Sequence, residues 1–365
     1  MLGDKIENWL EYNHSRKVKG LEYVGSSNLS IGTTLGLVRK QNEDRLVFFK
    51  SRFFGKSYSG AILCDGMGGM DSGGRCASMA ISNFINSFSQ SKLSSLKDRV
   101  NFAVTQANEM VRKSLKGKGG TTIVGFINEE FGKSICFNVG DSRAYLFSPE
   151  EFRQITKDDT IDGHLANVKE KIDPKILRSN QLLQYIGMDE IPQVHTYEFQ
   201  EALKTQRIIL TSDGAHNIGN ELLQSLTLNS TDSSDLTRKV LWLADWIGGK
   251  DNASMITFNM HDFVSYNHTR SGSNIDPNLE VWSFFGKLEI LFTNTSENTN
   301  PTEKVKNQYK NKPNNNKQKK PKIPKPYVKY QEKTGKTVQK PGVTEVEEIE
   351  PKGSSDDEQL KIKFS

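Results

Sequence analysis

The chain has 365 residues, of which 35% are hydrophobic and 25% charged, and its formal net charge is +5. A fold with a basic surface for nucleic acid is excluded, because the charge is confined to one end of the chain. Residues 303–340 hold 13 lysines against two glutamates, and residues 345–358 hold seven acidic residues against one lysine. The rest of the chain is neutral overall, so no specific nucleic-acid partner is expected.

Cysteine usage and hydropathy indicate a soluble protein in a reducing compartment. Cys64, Cys76 and Cys136 lie in apolar surroundings without CxxC spacing, so we expect buried free thiols. No stretch approaches the ~18 apolar residues of a membrane span, and the first residues lack the apolar core of a signal peptide. A cytoplasmic location without a membrane span is therefore expected.

The first part of the chain is polar and then turns β-like. Within residues 1–27, Trp9, Leu10 and Tyr12 form the only apolar cluster, which fits either a short docking helix or a frayed extension. From there the residues alternate as strands do. Strands are predicted at 30–38, 45–50 and 58–64.

Two helices follow, because apolar residues recur at helical spacing over 77–88 and over 100–115. The glycine-rich stretch 116–122 lacks the GxxxxGK[ST] spacing of a phosphate loop and leads into a strand, so a hairpin entry is predicted. Residues 157–193 are polar and mixed, and we expect a helical excursion that could form a flap. Further strands are predicted at 121–128, 134–139, 143–147, 194–199, 207–211 and through Phe258, with a helix over 236–247 before the last one.

The C-terminal third loses this order. Residues 281–292 form an isolated apolar island, which is too short to span a bilayer and fits either packing on the main domain or docking of a partner. Beyond Asn294 the Asn, Lys and Pro content predicts disorder. The lysine run is either a solvated tail or a nonspecific attraction for nucleic acid or acidic proteins.

Three apolar runs end in an aspartate that lies beside a glycine. Asp65 follows 62–64, Asp141 follows 137–140 and Asp213 follows 208–212. Glycine allows the backbone to approach a ligand closely, so three such ends predict a cluster of oxygen ligands. Further acids at strand ends or turns are Glu43, Asp44 and Asp251.

The chemistry of such a cluster favours divalent metal. Oxygen donors without an accompanying set of His and Cys favour Mg²⁺ or Mn²⁺ over zinc. Carboxylates drawn together repel one another unless cations lie between them. Two ions ~3.5–4 Å apart would activate a water for attack on phosphorus, with Asp65 as the bridge. Arg39 could bind two phosphate oxygens, and the expected chemistry is hydrolysis of a phosphomonoester without a covalent intermediate.

These residues resemble the metal-dependent protein phosphatases of the protein phosphatase 2C type, in their bacterial form. The resemblance covers about residues 28–260 and depends on six motifs that occur in order. The motifs are Gly36-Leu37-Val38-Arg39 with Asn42-Glu43-Asp44, Asp65-Gly66-Met67-Gly68-Gly69, Gly120-Thr121-Thr122, Val139-Gly140-Asp141-Ser142-Arg143, Ser212-Asp213-Gly214 and Asp251-Asn252.

The resemblance implies an α+β fold, an αββα four-layer sandwich of two antiparallel sheets flanked by helices. It also implies hydrolysis of phosphoserine and phosphothreonine in proteins with two Mn²⁺ or Mg²⁺ ions and a third weaker ion. The implied roles are Asp65 on both ions, Asp213 and Asp251 on the first, Glu43 and the Gly66 carbonyl on the second, Asp44 on bound water, Asp141 on the third ion and Arg39 on phosphate.

Three departures from the family pattern matter. Animal members carry a histidine assigned to protonation of the leaving group, and Met67 occupies that position here, as in bacterial-type members. Asp158-Asp159-Thr160 stands where the family commonly has Asp-His-Ser/Thr, and the flap lacks the usual His-Pro pair. His216 is interpreted as a helix-start residue and not as an acid catalyst.

The expected organisation is an N-terminal extension, a catalytic domain, an apolar docking or packing segment and a disordered tail. We expect a monomeric signalling phosphatase that acts on phosphoproteins, the substrates of a cognate kinase. The alternative is a catalytically weak, phosphatase-like binding module recruited through its C-terminal segment. The predicted boundaries are 1–27, 28–262, 263–293 and 294–365.

Overall fold

The structure is a computed structural model of the chain. It describes residues 2–17, 21–26, 28–67, 72–130, 133–161, 163, 181–199, 206–265 and 278–291. The chain divides into a unit of residues 1–307 and a unit of residues 308–365, and every described residue belongs to the first unit. The predictions for the tail beyond Asn294 and for residues 162 and 164–180 of the excursion at 157–193 lie outside the described residues.

The described strands form two large antiparallel sheets and a small ribbon. The strands are β1 (Leu21–Gly25), β2 (Leu29–Thr34), β3 (Arg45–Phe53), β4 (Lys56–Cys64), β5 (Gly66–Met67), β6 (Gly120–Thr121), β7 (Ile123–Glu129), β8 (Ser134–Val139), β9 (Arg143–Phe147), β10 (Phe152–Gln154), β11 (His195–Phe199), β12 (Arg207–Thr211), β13 (Ala253–Asn259), β14 (Leu279–Ser283) and β15 (Gly286–Ile290). One sheet has the order β1-β2-β13-β12-β9-β10, the other has the order β11-β8-β7-β4-β3-β14-β15, and β5 pairs with β6.

One described helix precedes the first strand, and the others lie between strands. They are α1 (Leu2–Lys17), α2 (Gly73–Gln90), α3 (Leu96–Leu115), α4 (Asp213–His216), α5 (Asn220–Leu228), α6 (Ser233–Trp246) and α7 (Met260–Ser265). The Ser95 hydroxyl accepts from the Asp98 amide at the start of α3, and the Asp232 carboxylate accepts from the Asp235 amide at the start of α6. These side chains satisfy amides that have no partner inside the helix.

Three separate apolar clusters show the layering. The first packs α1, α2 and α3 on the seven-stranded sheet, the second lies between the two sheets, and the third packs α5 and α6 on the six-stranded sheet. Strand β3 shows why, since Val47 and Phe49 face the first cluster while Leu46 and Phe48 face the second. The predicted αββα four-layer sandwich is therefore confirmed.

Several strand predictions match the observed strands, and one prediction continues past the end of its strand. Predicted strands at 134–139, 143–147 and 207–211 match β8, β9 and β12. The first predicted strand continues to Val38, whereas β2 ends at Thr34. Gly36 has a positive φ of 75°, and the chain turns there so that Leu37 and Val38 are exposed. The turn directs the following residues toward the end of the sheets.

The N-terminal extension is a docking helix and not a frayed end. Ile6 and Leu10 of α1 are fully buried in the cluster that contains α2 and α3. The ring of Trp9 meets the ring of Phe285 edge to face, with 4.8 Å between centroids. Burial of these apolar side chains stabilises the helix by roughly 1.5–3 kcal/mol each.

The apolar island at 281–292 contributes to two strands of the seven-stranded sheet, β14 and β15. Strand β14 pairs with β3, where Val281 lies opposite Phe49, and then turns into β15. This pairing confirms the packing interpretation of the island. The seven-stranded sheet consequently extends past the predicted end of the catalytic domain at 262.

The cysteine prediction is confirmed, because Cys64, Cys76 and Cys136 are all free and buried. Burial raises the pKa of the Cys76 thiol to about 12, which keeps it protonated and unreactive at neutral pH. None of the helices in the described ranges is long and apolar enough to cross a membrane.

Candidate active site

The predicted site residues lie at one end of the two sheets. In antiparallel sheets the end of one strand lies beside the start of its neighbour. Cys64 at the end of β4 pairs with Arg45 at the start of β3, and Thr211 at the end of β12 pairs with Arg143 at the start of β9. The loops that leave and enter these strands therefore meet.

A cavity of about 580 Å³ opens between these loops. Seven of the eight predicted residues line it, namely Arg39, Glu43, Asp65, Gly66, Asp141, Asp213 and Asp251. The eighth, Asp44, is completely buried beside them. Glu43 and Asp251 lie near opposite ends of the region that the resemblance covers, and the fold brings both to this cavity.

The backbone of Asp65 is held on both sides. Its amide donates to the Thr122 hydroxyl at 3.0 Å, and its carbonyl accepts from the Thr121 hydroxyl at 2.8 Å and the Thr122 amide at 2.9 Å. Ser142 continues this contact through the Thr122 hydroxyl at 2.6 Å. The next residue must be glycine, because a side chain on Gly66 would collide with the backbone at Gly73. Asp65 is therefore fixed in place before any ligand binds.

Burial and mutual repulsion raise the pKa values of the central acids. Burial raises the pKa of Asp65 well above its usual range, with further repulsion from Asp44 and Asp213. Burial likewise raises the pKa of Asp44 to about 7 and that of Asp141 to about 7. Burial also raises the pKa of Asp213, and the negative charge of Asp251 adds to this effect. A compensating positive charge is what this cluster lacks.

The acids also leave oxygens available for a ligand. Among the described residues, Asp44 Oδ1 and Asp213 Oδ1 are buried and accept no hydrogen bond. The other Asp44 oxygen, Oδ2, accepts from the Ser212 hydroxyl at 3.0 Å. Unpaired carboxylate oxygens in a crowded acidic site suit a hard divalent cation, so the donor set fits Mg²⁺ or Mn²⁺.

The acids are not preassembled into a metal cage. In the part of the chain that the structure describes, no group of three or more His, Cys, Asp or Glu side chains is arranged to hold an ion. Arg39 Nη2 donates to Asp251 Oδ2 at 2.6 Å. This contact neutralises part of the charge, and ion binding at Asp251 would have to replace it.

Asparagine side chains shape the loop that carries Glu43 and Asp44. Asn252 Oδ1 accepts from the Glu43 amide at 2.8 Å, while its Nδ2 donates to the carbonyls of Leu35 and Gln41. Asn42 Nδ2 donates to the Thr33 hydroxyl at 2.7 Å. The motif spacing included both asparagines, but only the fold shows that they tie the loop to β2 and β13.

Asp159 links two walls of the cavity. It is completely buried, and its Oδ2 accepts from the Gly140 amide at 3.0 Å, directly before Asp141. Its Oδ1 accepts from Gln184 Nε2 at 3.0 Å and lies 2.8 Å from His195 Nε2. The sequence marked Asp159 only as a departure from the family pattern, because its partner His195 is 36 positions away.

The second wall comes from the segment that the sequence analysis expects as a possible flap, although no motif marks its individual residues. Gln181, Leu182 and Tyr185 line the cavity opposite the acids. The Ile186 amide donates to the Thr121 carbonyl at 2.8 Å, and the Thr121 amide donates to the Ile186 carbonyl at 3.0 Å. No motif identified these residues, because the segment is polar and its pairing partner lies on another element.

Two further predictions concern possible proton donors. Met67 lines the cavity, and its thioether has no proton to donate. His216 is buried in α4, and its Nδ1 lies 3.0 Å from the Thr211 hydroxyl. Burial lowers its pKa well below the usual range, so the ring is neutral at pH 7. His216 is not among the described residues that line the cavity, and it is the last residue of α4, so its interpretation as a helix-start residue is wrong.

Comparison with known proteins finds relatives of one kind. No family model matches the chain. The chain is 25% identical over 240 residues to the serine/threonine phosphatase stp of Listeria welshimeri, covering 61% of this chain and 92% of that protein. It is 26% identical over 251 residues to the protein phosphatase PhpP of Streptococcus pneumoniae, covering 64% of this chain and 98% of that protein. The serine/threonine protein phosphatase PstP of Mycobacterium tuberculosis is 26% identical over 242 residues, which are 62% of this chain and 44% of that protein.

Solved structures show the same fold. The serine/threonine phosphatase Stp1 of Staphylococcus aureus superposes with a TM-score of 0.56 at 22% identity, over 67% of this chain and 96% of that one. The Mycobacterium tuberculosis phosphatase PstP/Ppp gives 0.53 at 24% identity, over 66% and 98%. The catalytic domain of PstP in complex with two manganese ions gives 0.51 at 23% identity, over 66% and 97%.

Proposed function

The chain is a homologue of the bacterial serine/threonine phosphatases of the protein phosphatase 2C type, and on that premise we propose that it hydrolyses phosphoserine and phosphothreonine in proteins. The water that attacks phosphorus would be activated at a binuclear Mn²⁺ or Mg²⁺ centre. The observation that carries the proposal is the meeting of seven predicted residues, from loops far apart in sequence, on one cavity. Buried acids with raised pKa values are typical of functional sites.

The proposed ion ligands are the oxygens of Asp65, Asp213, Asp251, Glu43 and the Gly66 carbonyl, with Asp141 on a third ion. Bound ions would offset the acidic charge and supply a nucleophilic water at neutral pH. The residues that would hold the first ion come from β4, β12 and the loop before β13, so the ions would also tie the two sheets together. This set matches the unpaired Asp213 oxygen and the crowding around Asp65.

Arg39 is proposed to bind the phosphate. Its guanidinium is about half exposed and reaches the cavity from the turn after β2. If Asp251 held an ion, its oxygen would no longer be available to Arg39, and the guanidinium would be able to bind two phosphate oxygens. Ser212 donates to one oxygen of Asp44, so the other oxygen would be available to accept a hydrogen bond from a bound water. Both groups would thus change partners as substrate and ions enter.

The proposal is tested on the full-length chain, because α1 and β14 are part of the fold. Purified protein should hydrolyse phosphothreonine and phosphoserine peptides with Mn²⁺ and lose this activity in EDTA. The Asp65→Ala/Asp213→Ala double variant is the control. Turnover no greater than that of the control would favour the phosphatase-like binding module, and preference for phosphotyrosine would contradict the substrate class.

We also propose that the protein acts as a monomer that opposes a protein kinase. The described residues bury their apolar clusters within one chain, so no second copy is needed to complete the cavity. Light scattering after gel filtration tests the oligomeric state. A comparison of phosphoproteins between wild-type cells and cells with Asp213→Asn would identify the substrates, and no accumulation of phosphoserine or phosphothreonine would count against the proposal.

A further inference from the structure

One acidic residue of α1 reaches the loop that carries two proposed site residues. The helix precedes the region covered by the family resemblance, yet Glu11 Oε1 lies 2.9 Å from Arg45 Nη2. Arg45 is the first residue of β3 and follows Glu43 and Asp44 directly. Its side chain is 5% exposed, so this guanidinium depends on protein groups in place of water.

The guanidinium of Arg45 binds the backbone on both sides of the two acids. Its Nη1 donates to the Asn42 carbonyl at 2.9 Å and to the Asp44 carbonyl at 3.0 Å. The planar fork of arginine holds such acceptors in fixed positions, which a lysine ammonium would not do. The peptide before Glu43 and the peptide after Asp44 are therefore fixed by one side chain.

A hydroxyl on α2 closes this network. Arg45 Nε donates to the Ser78 hydroxyl at 3.0 Å, and that hydroxyl donates in turn to Glu11 Oε1. Glu11 thus accepts from both groups, and Ser78 orients the pair. The network leaves room only for glycine at the start of α2, since a Cβ on Gly74 would lie 2.6 Å from Arg45 Nη2.

Helix α1, which carries Glu11, packs against α2 and against the hairpin of β14 and β15. Ile6 and Leu10 are fully buried in the cluster that contains α2. On the other side, Trp9 contacts Phe285 in the turn between β14 and β15, and the ring of His14 meets Phe284 at 5.6 Å. The C-terminal hairpin therefore fixes α1, and α1 fixes Arg45.

We propose that Glu11 is a positioning residue for the metal centre, acting through Arg45 on the loop of Glu43 and Asp44. This inference rests on the proposed function, because it concerns the same site. Residues that position metal ligands without contacting the ion typically change metal affinity by about 10–100-fold when they are removed. Glu11→Gln keeps an acceptor oxygen but removes the charge that balances Arg45, so the loop should hold its geometry less firmly.

The experiment measures Mn²⁺ binding to the full-length chain by calorimetry, without any substrate. Glu11→Gln should bind Mn²⁺ about tenfold more weakly than wild type, and so should Arg45→Lys. The matched control is Glu7→Gln on the same helix. Glu7 contacts Arg75 of α2 at 3.7 Å, Arg75 is 57% exposed, and neither residue reaches the loop. Glu7→Gln should bind Mn²⁺ as wild type does.

Turnover gives a second readout that a purely structural ion pair would not produce. At limiting Mn²⁺ the Glu11→Gln variant should be slow, and saturating Mn²⁺ should restore its kcat to within about twofold of wild type, because the lesion lies in ion binding. Circular dichroism confirms folding. If Glu11→Gln fails to fold, Ser78→Ala removes the relay and keeps the ion pair, and its Mn²⁺ affinity should fall severalfold.

The outcomes separate this inference from the proposed function. Mn²⁺ affinity of Glu11→Gln and Ser78→Ala equal to that of Glu7→Gln would overturn the inference alone, since wild-type turnover would be unaffected. A wild-type chain that binds no Mn²⁺ would overturn both. A chain that binds Mn²⁺ and shows the predicted loss in Glu11→Gln, but hydrolyses no phosphopeptide, would support the positioning role and refute the catalytic one.

Discussion

Two buried polar clusters lie on either side of the start of β3, and they differ in charge balance. The acid cluster contains Asp44, Asp65 and Asp213, where like charges meet and two oxygens have no partner among the described residues. The arginine cluster joins Arg45 to Glu11 and Ser78, where opposite charges meet and the donors are used. The two clusters meet in the sequence, because Arg45 follows Asp44 directly.

The charge of the arginine cluster is balanced by groups of the protein, whereas the charge of the acid cluster is not. Burial of a charge is costly unless a partner compensates it, and Arg45 has its partners within the fold. In the described part of the chain, the acids receive a hydroxyl from Ser212 on Asp44 and the guanidinium of Arg39 on Asp251. Buried acids without full compensation are expected at functional sites. Their presence here suggests that a bound ligand provides positive charge.

The sharpest test of this comparison is Asp65→Asn. Loss of the proposed bridging ligand should lower kcat by at least about 100-fold, beyond the range typical of residues that only support metal ligands. In EDTA the same variant should melt at a higher temperature than wild type, because an amide removes repulsion from Asp44 and Asp213. Calorimetric melting and turnover on a phosphothreonine peptide measure both effects. A lower melting temperature would mean that the acid cluster is already compensated.

A pH series tests the same cluster without mutation. Folding raises the pKa of Asp44 and of Asp141 to about 7, so the folded state keeps protons that the unfolded chain releases near pH 4. The contribution of these two acids to the stability of the metal-free protein should therefore be fully present below about pH 4 and be lost as the pH rises to about 7.

Melting temperatures in EDTA and in excess Mn²⁺ provide the measurement. Bound Mn²⁺ should reverse the loss at neutral pH, since a ligand at about 100 times its Kd adds about 2.7 kcal/mol of stability. Asp65→Asn should flatten the slope, whereas Glu11→Gln should keep it. A metal-free stability that rises from pH 4 to pH 7 would contradict the raised pKa values.

The fold and the acids were predictable because their signals are local. Strands β4, β8 and β12 contain apolar runs, and Asp65, Asp141 and Asp213 follow within two residues of the strand ends. The layering followed from runs of strands and paired helices. The turn at Gly36 was missed, because Leu37 and Val38 continue the apolar pattern after the strand has ended.

The remaining features depend on contacts between residues that are far apart. Glu11 meets Arg45 only because α1 docks on α2, and Asp159 meets His195 only because β11 pairs with β8. Neither pair has a spacing that a sequence pattern could reveal. A single acidic residue on a helix is most often exposed to solvent. Only the contacts formed in the folded protein show that Glu11 has a partner.

A more modest loss is expected for Asp159→Asn. One carboxylate oxygen becomes an NH₂ group, which faces a donor whether it points at the Gly140 amide or at Gln184. The turn before Asp141 and the wall with Tyr185 should both loosen, and kcat/KM on a phosphothreonine peptide should fall about tenfold, a change of about 1.4 kcal/mol. Turnover of a small aryl phosphate should fall less, because it contacts less of the wall. Equal losses on both substrates would place the effect in the chemistry and not in the wall.

The smallest effect is expected for Glu109→Gln on α3, which replaces a carboxyl group by an amide as Asp65→Asn does, but on the protein surface. Glu109 is bonded to Lys113 one turn later on the same exposed helix face. Solvent screens such a pair, so the change should leave Mn²⁺ affinity, kcat and the metal-free melting temperature within experimental error. This variant separates the local repulsion of the acid cluster from the overall charge of the protein. If Glu109→Gln raised the metal-free melting temperature as much as Asp65→Asn, net charge would explain both, and the contrast between the two buried clusters would fail.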